Sequence, residues 1–103
     1  MRQPPADICK FAQDAQKKWR VPASVSLAQW IQESGWGAHS PGNNPFGMKP
    51  RKGKNDPQQT LMTTEYIKGH AFKVPQPFRT FPNVGAAFDA HAELLATALV
   101  YKP

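Results

Sequence analysis

Between Gly35 and Gly47 the chain reads GWGAHSPGNNPFG, a run too rich in Gly, Pro and Asn for a helix or strand to pass through it. Proline fixes φ and removes a backbone donor, while glycine and asparagine tolerate the left-handed backbone of tight turns. Such a run is an ordered bend rather than a linker. It separates a front part with helical periodicity from a rear part that opens with strand alternation, so any fold has to be assembled around it.

Ahead of the bend, Ile8, Phe11, Ala12, Ala15 and Trp19 recur at helical spacing, and Asp7 after Pro4 and Pro5 suits a helix start. The spacing predicts a first helix over roughly residues 7 to 19. VPASVSLAQWIQESG begins again with Pro22 near a first-turn position and stops at Gly35, which predicts a second helix over about 23 to 34. Behind the bend, in QTLMTTEYI, Leu61, Thr63, Glu65 and Ile67 alternate with Met62, Thr64 and Tyr66, the period of a strand. Lys68 and Gly69 offer a turn into HAFKV, and the hairpin is expected to end at Pro75 and Pro77, with FRTF adding a short further strand. An Asn83 cap then opens the longest helix, whose stripe is Val84, Ala87, Phe88, His91, Leu94, Leu95, Ala98 and Leu99. The expectation is one small α+β domain over residues 1–103, with helices flanking a hairpin lobe and a groove between them.

Composition narrows the partners. Thirteen Lys and Arg against seven Asp and Glu give a net charge of +6, which favours polyanions such as nucleic acid, anionic lipid or bacterial wall polymers. The densest basic run, KPRKGKND, has no interleaved aromatic residues, so it lacks a base-stacking platform and reads as a solvated loop. Nucleic acid therefore ranks low. No apolar run reaches membrane-spanning length, and MRQPPADICK lacks the apolar core of a secretory signal, so any export is expected to use another route or a removed leader. Cys9 is the single cysteine, which excludes an intrachain disulfide. His39, His70 and His91 show no metal-ligand spacing with one another or with Cys9, and no glycine-rich phosphate cradle is present. No metal or cofactor is implied, and no pattern fixes an oligomeric state.

One carboxylate stands out by position. At about 100° per residue, Leu27, Ala28 and Ile31 share one side of the second helix, and Glu33 lies about 200° round from Ile31, near Gln29 and Trp30. Val25 and Trp30 make the rest of that surface partly apolar, so Glu33 is expected to open into a cleft, partly withdrawn from water. A carboxyl held there keeps its proton until a leaving oxygen takes it, the requirement for a general acid. From spacing alone, a plain surface glutamate near a helix end remains the commoner outcome.

The run QESGWG followed by PGNNPFGMK resembles the signature of bacterial peptidoglycan-cleaving N-acetylglucosaminidases, glycoside hydrolase family 73, of the flagellar rod hydrolase and autolysin type. The likeness continues through TTEY, FRTF and DAHAELL, and covers about residues 8 to 101. The resemblance implies a lysozyme-like α+β fold with Glu33 as general acid and Glu65, in TTEY, as its hairpin partner. It further implies cleavage of the β-1,4 bond on the reducing side of N-acetylglucosamine, in the peptidoglycan of the periplasm or wall. Trp36 as sugar platform, Asn44 as sugar hydrogen-bonder, Phe46 as groove wall and Tyr66 as groove lining complete the candidate set. Each has a structural alternative: Trp36 wedging the helix end, Asn44 bonding its own turn, Phe46 anchoring the bend, Tyr66 packing beneath the hairpin. Family members continue past the point matching LLATALVYKP with a helical segment that carries a tyrosine beside the cleft, so the 103 residues are expected to lack that segment and to cleave slowly. A glycan-binding or assembly module on the same fold, a muramidase and a lytic transglycosylase are the alternatives.

Overall fold

The computed structural model describes residues 2–100. Its elements are helix α1 (Ala6–Trp19), helix α2 (Ala23–Ser34), a single 3-10 turn (Pro41–Asn43), strands β1 (Gln58–Ile67) and β2 (His70–Arg79), and helix α3 (Val84–Val100). The expected α+β architecture is the one observed.

Helix α1 stops because Arg20 turns left-handed at φ 61°, its N–H reaching back to the Gln16 carbonyl at 2.8 Å. The Gln16 side chain then accepts the Ala23 N–H at 2.7 Å, tying the end of one helix to the start of the next. Helix α2 ends at Gly35, φ 57°, as the glycine predicts. The buried face of α2 differs from the expected one. Ser26, Trp30 and Ser34 are its buried residues, whereas Ala28 is exposed and Leu27 and Ile31 are half-buried. A large indole flanked one turn away on each side by small residues packs closely, and the cost of burying the Ser34 hydroxyl is offset locally. It donates to the Trp30 carbonyl and accepts the Gly37 N–H at 2.8 Å.

The hairpin turns at Lys68 and Gly69, with φ 52° and 78°, two consecutive positive values that match the twist of a two-residue loop. Pro75 and Pro77 do not end it: β2 runs through both, opposite Met62 and Thr60. In a two-stranded ribbon every second N–H of β2 points to solvent, and residues two apart share that edge, so two missing donors cost the ladder nothing. Phe78 and Arg79 accordingly belong to β2 rather than to a separate strand.

Helix α3 opens as expected, Asn83 Oδ1 accepting the Ala86 N–H at 2.8 Å. Its Ala87 and Phe88 join Ile8, Ala12, Trp30, Phe46, Met48 and Phe81 in the main core. Leu94 of the expected stripe is exposed, and the side chain of Leu99 lies outside the described residues. Gly85 lets α1 and α3 approach: a Cβ there would sit 3.0 Å from the Phe11 ring.

The bend is fastened to the base of the hairpin. Phe81 N–H donates to the Gly42 carbonyl at 2.9 Å, Gln59 Nε2 to the Pro41 carbonyl at 2.7 Å, and Arg79 N–H to the Met48 carbonyl at 2.9 Å. The basic loop is also pinned rather than simply solvated. Arg51 gives Asp56 three hydrogen bonds, from its backbone N–H at 2.8 Å, Nε at 3.0 Å and Nη2 at 2.7 Å, and Arg79 Nε lies 3.5 Å away.

Candidate active site

Between the end of α2, the bend and the inner face of the hairpin lies a groove of about 340 Å³, lined by Glu33, His39, Pro41, Asn44, Pro45, Gly47, Gln59, Leu61, Met62, Thr63 and Phe78. Each wall has a sequence cause. Helix α2 carries Glu33 in its last turn, immediately before buried Ser34 and the Gly35 stop, so the carboxylate sits on a rigid helix end. Strand alternation turns Gln59, Leu61 and Thr63 of β1 the same way, and the pairing Gln59↔Phe78 brings the matching face of β2 alongside.

The candidate residues divide by place. Glu33 and Asn44 line the groove together. Glu33 is exposed rather than half-buried, so withdrawal from water has to come from a ligand covering it. Asn44 is 4% exposed, and its amide is already engaged with backbone. Nδ2 donates to the Met48 and Arg79 carbonyls, each at 2.9 Å, and Oδ1 accepts the Met48 N–H at 3.0 Å. Phe46 is in the core, its ring stacked on His91 at 4.0 Å and edge-on to Phe88 at 4.9 Å. Trp36 follows the helix stop at φ 61° and packs edge-on against Trp30 at 6.2 Å, with the Arg2 guanidinium 4.4 Å over its ring. Neither Phe46 nor Trp36 lines the groove.

Glu65 shares a strand face with Leu61 and Thr63 but lies two residues beyond Thr63, on the exposed outer half of the hairpin. Tyr66 is on the opposite strand face and is 75% exposed. His91 is buried, its Nδ1 without a hydrogen-bond partner, and burial pushes its pKa below the ordinary value.

His39, Gln59, Leu61, Thr63 and Phe78 are groove residues that sequence reasoning did not single out. The alternation of β1 told which residues share a face; it did not tell which face meets the bend. His39 sits in irregular chain with no periodic signal. Among the described residues no group of three or more His, Cys, Asp or Glu is placed to hold a metal ion. The groove offers one free carboxyl, an imidazole, an amide, a hydroxyl and apolar walls, a surface suited to a neutral polyhydroxylated ligand and to proton transfer.

Comparison with known proteins agrees with that geometry. The profile of the glucosaminidase family, described as mannosyl-glycoprotein endo-beta-N-acetylglucosaminidase, matches residues 9–103. An autolysin of Enterococcus faecalis is 36% identical over 89% of this chain, and the peptidoglycan hydrolase FlgJ of Escherichia coli is 35% identical over 87% of it. This chain spans 13% of that autolysin and 31% of that FlgJ. Among solved structures, a C-terminally truncated glycoside hydrolase domain from Salmonella typhimurium FlgJ superposes with a TM-score of 0.72 at 32% identity, covering 87% of this chain and 64% of that one. The catalytic domain of the Listeria monocytogenes autolysin Auto gives 0.71 at 27% identity, covering 92% and 59%. With a family match over nearly its whole length and a fold shared with these hydrolase domains, the chain belongs to the glucosaminidase family.

Proposed function

We propose that the domain is a glycoside hydrolase of bacterial wall peptidoglycan, acting in the periplasm or cell wall, with Glu33 as the proton donor. The observation that carries this reading is the position of Glu33, held at a helix end on the wall of the groove between helical body and hairpin. Relatives described as autolysin and peptidoglycan hydrolase support the choice of substrate. A glycosidic oxygen leaves poorly unless protonated, and the sugar carbon it departs from develops oxocarbenium character. Glu33 supplies the proton, and a glycan lying in the groove excludes the water that otherwise surrounds the carboxyl.

The developing cation needs a second group, and two are at hand. Glu65 serves as base or anion if the outer hairpin folds over the substrate; otherwise the acetamido oxygen of the sugar itself takes the role. Glu65's place beyond the lined groove favours the acetamido group while the hairpin stands open. The bond cut is the β-1,4 link on the reducing side of N-acetylglucosamine. Reduced N-acetylglucosamine ends in borohydride-treated digests support that assignment, reduced muramic acid would make the enzyme a muramidase, and anhydro-muramic ends a transglycosylase.

The decisive experiment is Glu33→Gln, assayed by clearing of purified wall sacculi. Loss of the transferable proton lowers the rate by about a hundredfold or more, while sedimentation with sacculi persists. A fully active Glu33→Gln protein refutes the mechanism.

A further inference from the structure

The outer half of the hairpin carries an aromatic side chain that neither the core nor the groove uses. Phe72 is 49% exposed and pairs directly across from Glu65. Antiparallel register fixes which way it faces. The pairs Gln59↔Phe78, Leu61↔Gln76, Thr63↔Val74 and Glu65↔Phe72 place all these residues on one face of the ribbon. Four members of that series, Gln59, Phe78, Leu61 and Thr63, line the groove, joined by Met62 from the other face. Apart from Arg79 at the base, the half-buried positions of both strands fall on the series face while the alternate ones are exposed. Phe72 therefore continues the groove-facing surface outward, about 7 Å beyond the Thr63 pair at two residues of strand rise. Tyr66, the other exposed aromatic of the tip, pairs with Ala71 and faces away.

We propose that Phe72 is a sugar-stacking platform that extends the glycan groove along the hairpin and sets affinity for long strands. The proposal rests on the substrate class argued above. A β-linked pyranose carries its substituents equatorially, leaving C–H groups on its two faces, and such a face lies flat on an aromatic ring, burying apolar surface. Directly opposed side chains on a ribbon are about 5 Å apart at Cβ, so Glu65, opposed to Phe72, can reach a sugar stacked on the ring and accept a hydrogen bond from one of its hydroxyls. An apolar platform flanked by an acceptor suits a neutral sugar. The step of about 7 Å from the Thr63 pair exceeds one ring, which assigns Phe72 to a sugar outside those that contact Glu33.

The test uses the full chain with three substitutions, Phe72→Ala, Phe72→Leu and Phe72→Trp. Phe72→Leu keeps apolar bulk without a flat ring, and a half-exposed position on the ribbon tolerates all three, which a melting curve verifies. On long glycan strands, Phe72→Ala and Phe72→Leu raise KM about fivefold with kcat unchanged, and Phe72→Trp restores or improves it. Calorimetric titration of the N-acetylglucosamine hexamer into the Glu33→Gln background shows the same ordering of Kd. Equal KM and Kd across the four proteins, full retention by Phe72→Leu, or a fall in kcat at constant KM overturns the proposal. If wild type binds the hexamer in a Phe72-dependent manner yet cleaves nothing, the proposed hydrolase activity fails and the platform stands. If wild type clears sacculi and Phe72→Ala does so with the same KM, the platform alone fails.

Discussion

Asn44 is where the alternatives of sugar contact and structural clamp separate by magnitude. Its side chain is buried at 4% exposure and makes three hydrogen bonds, two donated to the Met48 and Arg79 carbonyls and one accepted from the Met48 N–H. In Asn44→Ala the Met48 carbonyl keeps the Arg79 N–H at 2.9 Å, so two backbone groups lose their side-chain partner, the Met48 N–H and the Arg79 carbonyl. The buried Met48 N–H costs about 1–3 kcal/mol when left unsatisfied, and the part-buried Arg79 carbonyl adds less because water reaches it, so the loss is roughly 2–4 kcal/mol. A domain of this size has about 5–15 kcal/mol in total, so the substitution removes a large fraction of it and lowers Tm by at least 10 °C or so. Asn44→Asp is the sharper probe. It keeps the acceptor for Met48 N–H but turns a carboxylate oxygen toward two carbonyls, and it is expected to be at least as damaging as alanine despite its shape. Urea unfolding followed by tryptophan fluorescence measures both. A loss under 1 kcal/mol in either variant, together with a raised KM, would refute the clamp and make Asn44 a sugar contact instead.

Two further outcomes follow from backbone and charge. Gly35 and Gly37 both have positive φ, 57° and 85°, but only at Gly37 would a Cβ collide, 2.7 Å from Trp30 Cζ2; Gly35→Ala therefore costs about 1 kcal/mol of stability and Gly37→Ala clearly more, and equal losses on chemical denaturation would contradict this. On acidification, Tm falls in two stages. Burial depresses His91 below its ordinary 6.5, so its neutral packing contributes fully above about pH 6.5 and is lost as pH falls toward the lower folded value. The Arg51 side-chain and backbone hydrogen bonds hold Asp56 well below its ordinary 3.8, so its contribution is present above about pH 4 and is lost in stronger acid. His91→Phe removes the upper stage and Asp56→Asn the lower, and an upper stage that persists in His91→Phe assigns it elsewhere.

Local chemistry made most elements legible, and what it missed was non-local. The stops at Gly35 and the Asn83 cap are decided within one turn of chain, and both are found where the residues place them. The buried face of α2 is hidden in the sequence because a Ser-Trp-Ser stripe looks polar; Ser34 is satisfied by donating to the Trp30 carbonyl and accepting the Gly37 N–H, whereas the Ser26 hydroxyl is buried without a partner. Pro75 and Pro77 looked like stops because strand rules assume neighbours on both sides, and a two-stranded ribbon has only one. The KPRKGKND loop is solvated over residues 51–55, as its composition suggests, and its periodicity-free sequence does not show that Arg51 folds back on Asp56 within the loop or that Arg79 joins them from the far strand. At the groove, Glu33 was visible through its motif, whereas Thr63, Phe78 and His39 join it only when the bend meets the hairpin.

That meeting also determines how the two walls of the groove can move. The hairpin base is bonded to the bend at Gln59, Arg79 and Phe81, and Asn44 adds its own bonds at Met48 and Arg79. Beyond Thr63 no such fastening exists among the described residues, and from Glu65 to Lys73 every residue of the ribbon is exposed. A ribbon anchored at one end and solvated at the other bends about its base at small energetic cost, since bending breaks few buried contacts. Glu33, by contrast, stands on a helix end whose next residue is buried. Glu33 is therefore held on the helical body, while Glu65 and Phe72 share one cross-strand pair on the part of the ribbon that nothing buried restrains. Sugar stacking on Phe72 thus adds affinity at a site remote from the bond Glu33 protonates, and such binding, equal in ground and transition states, appears in KM and leaves kcat unchanged.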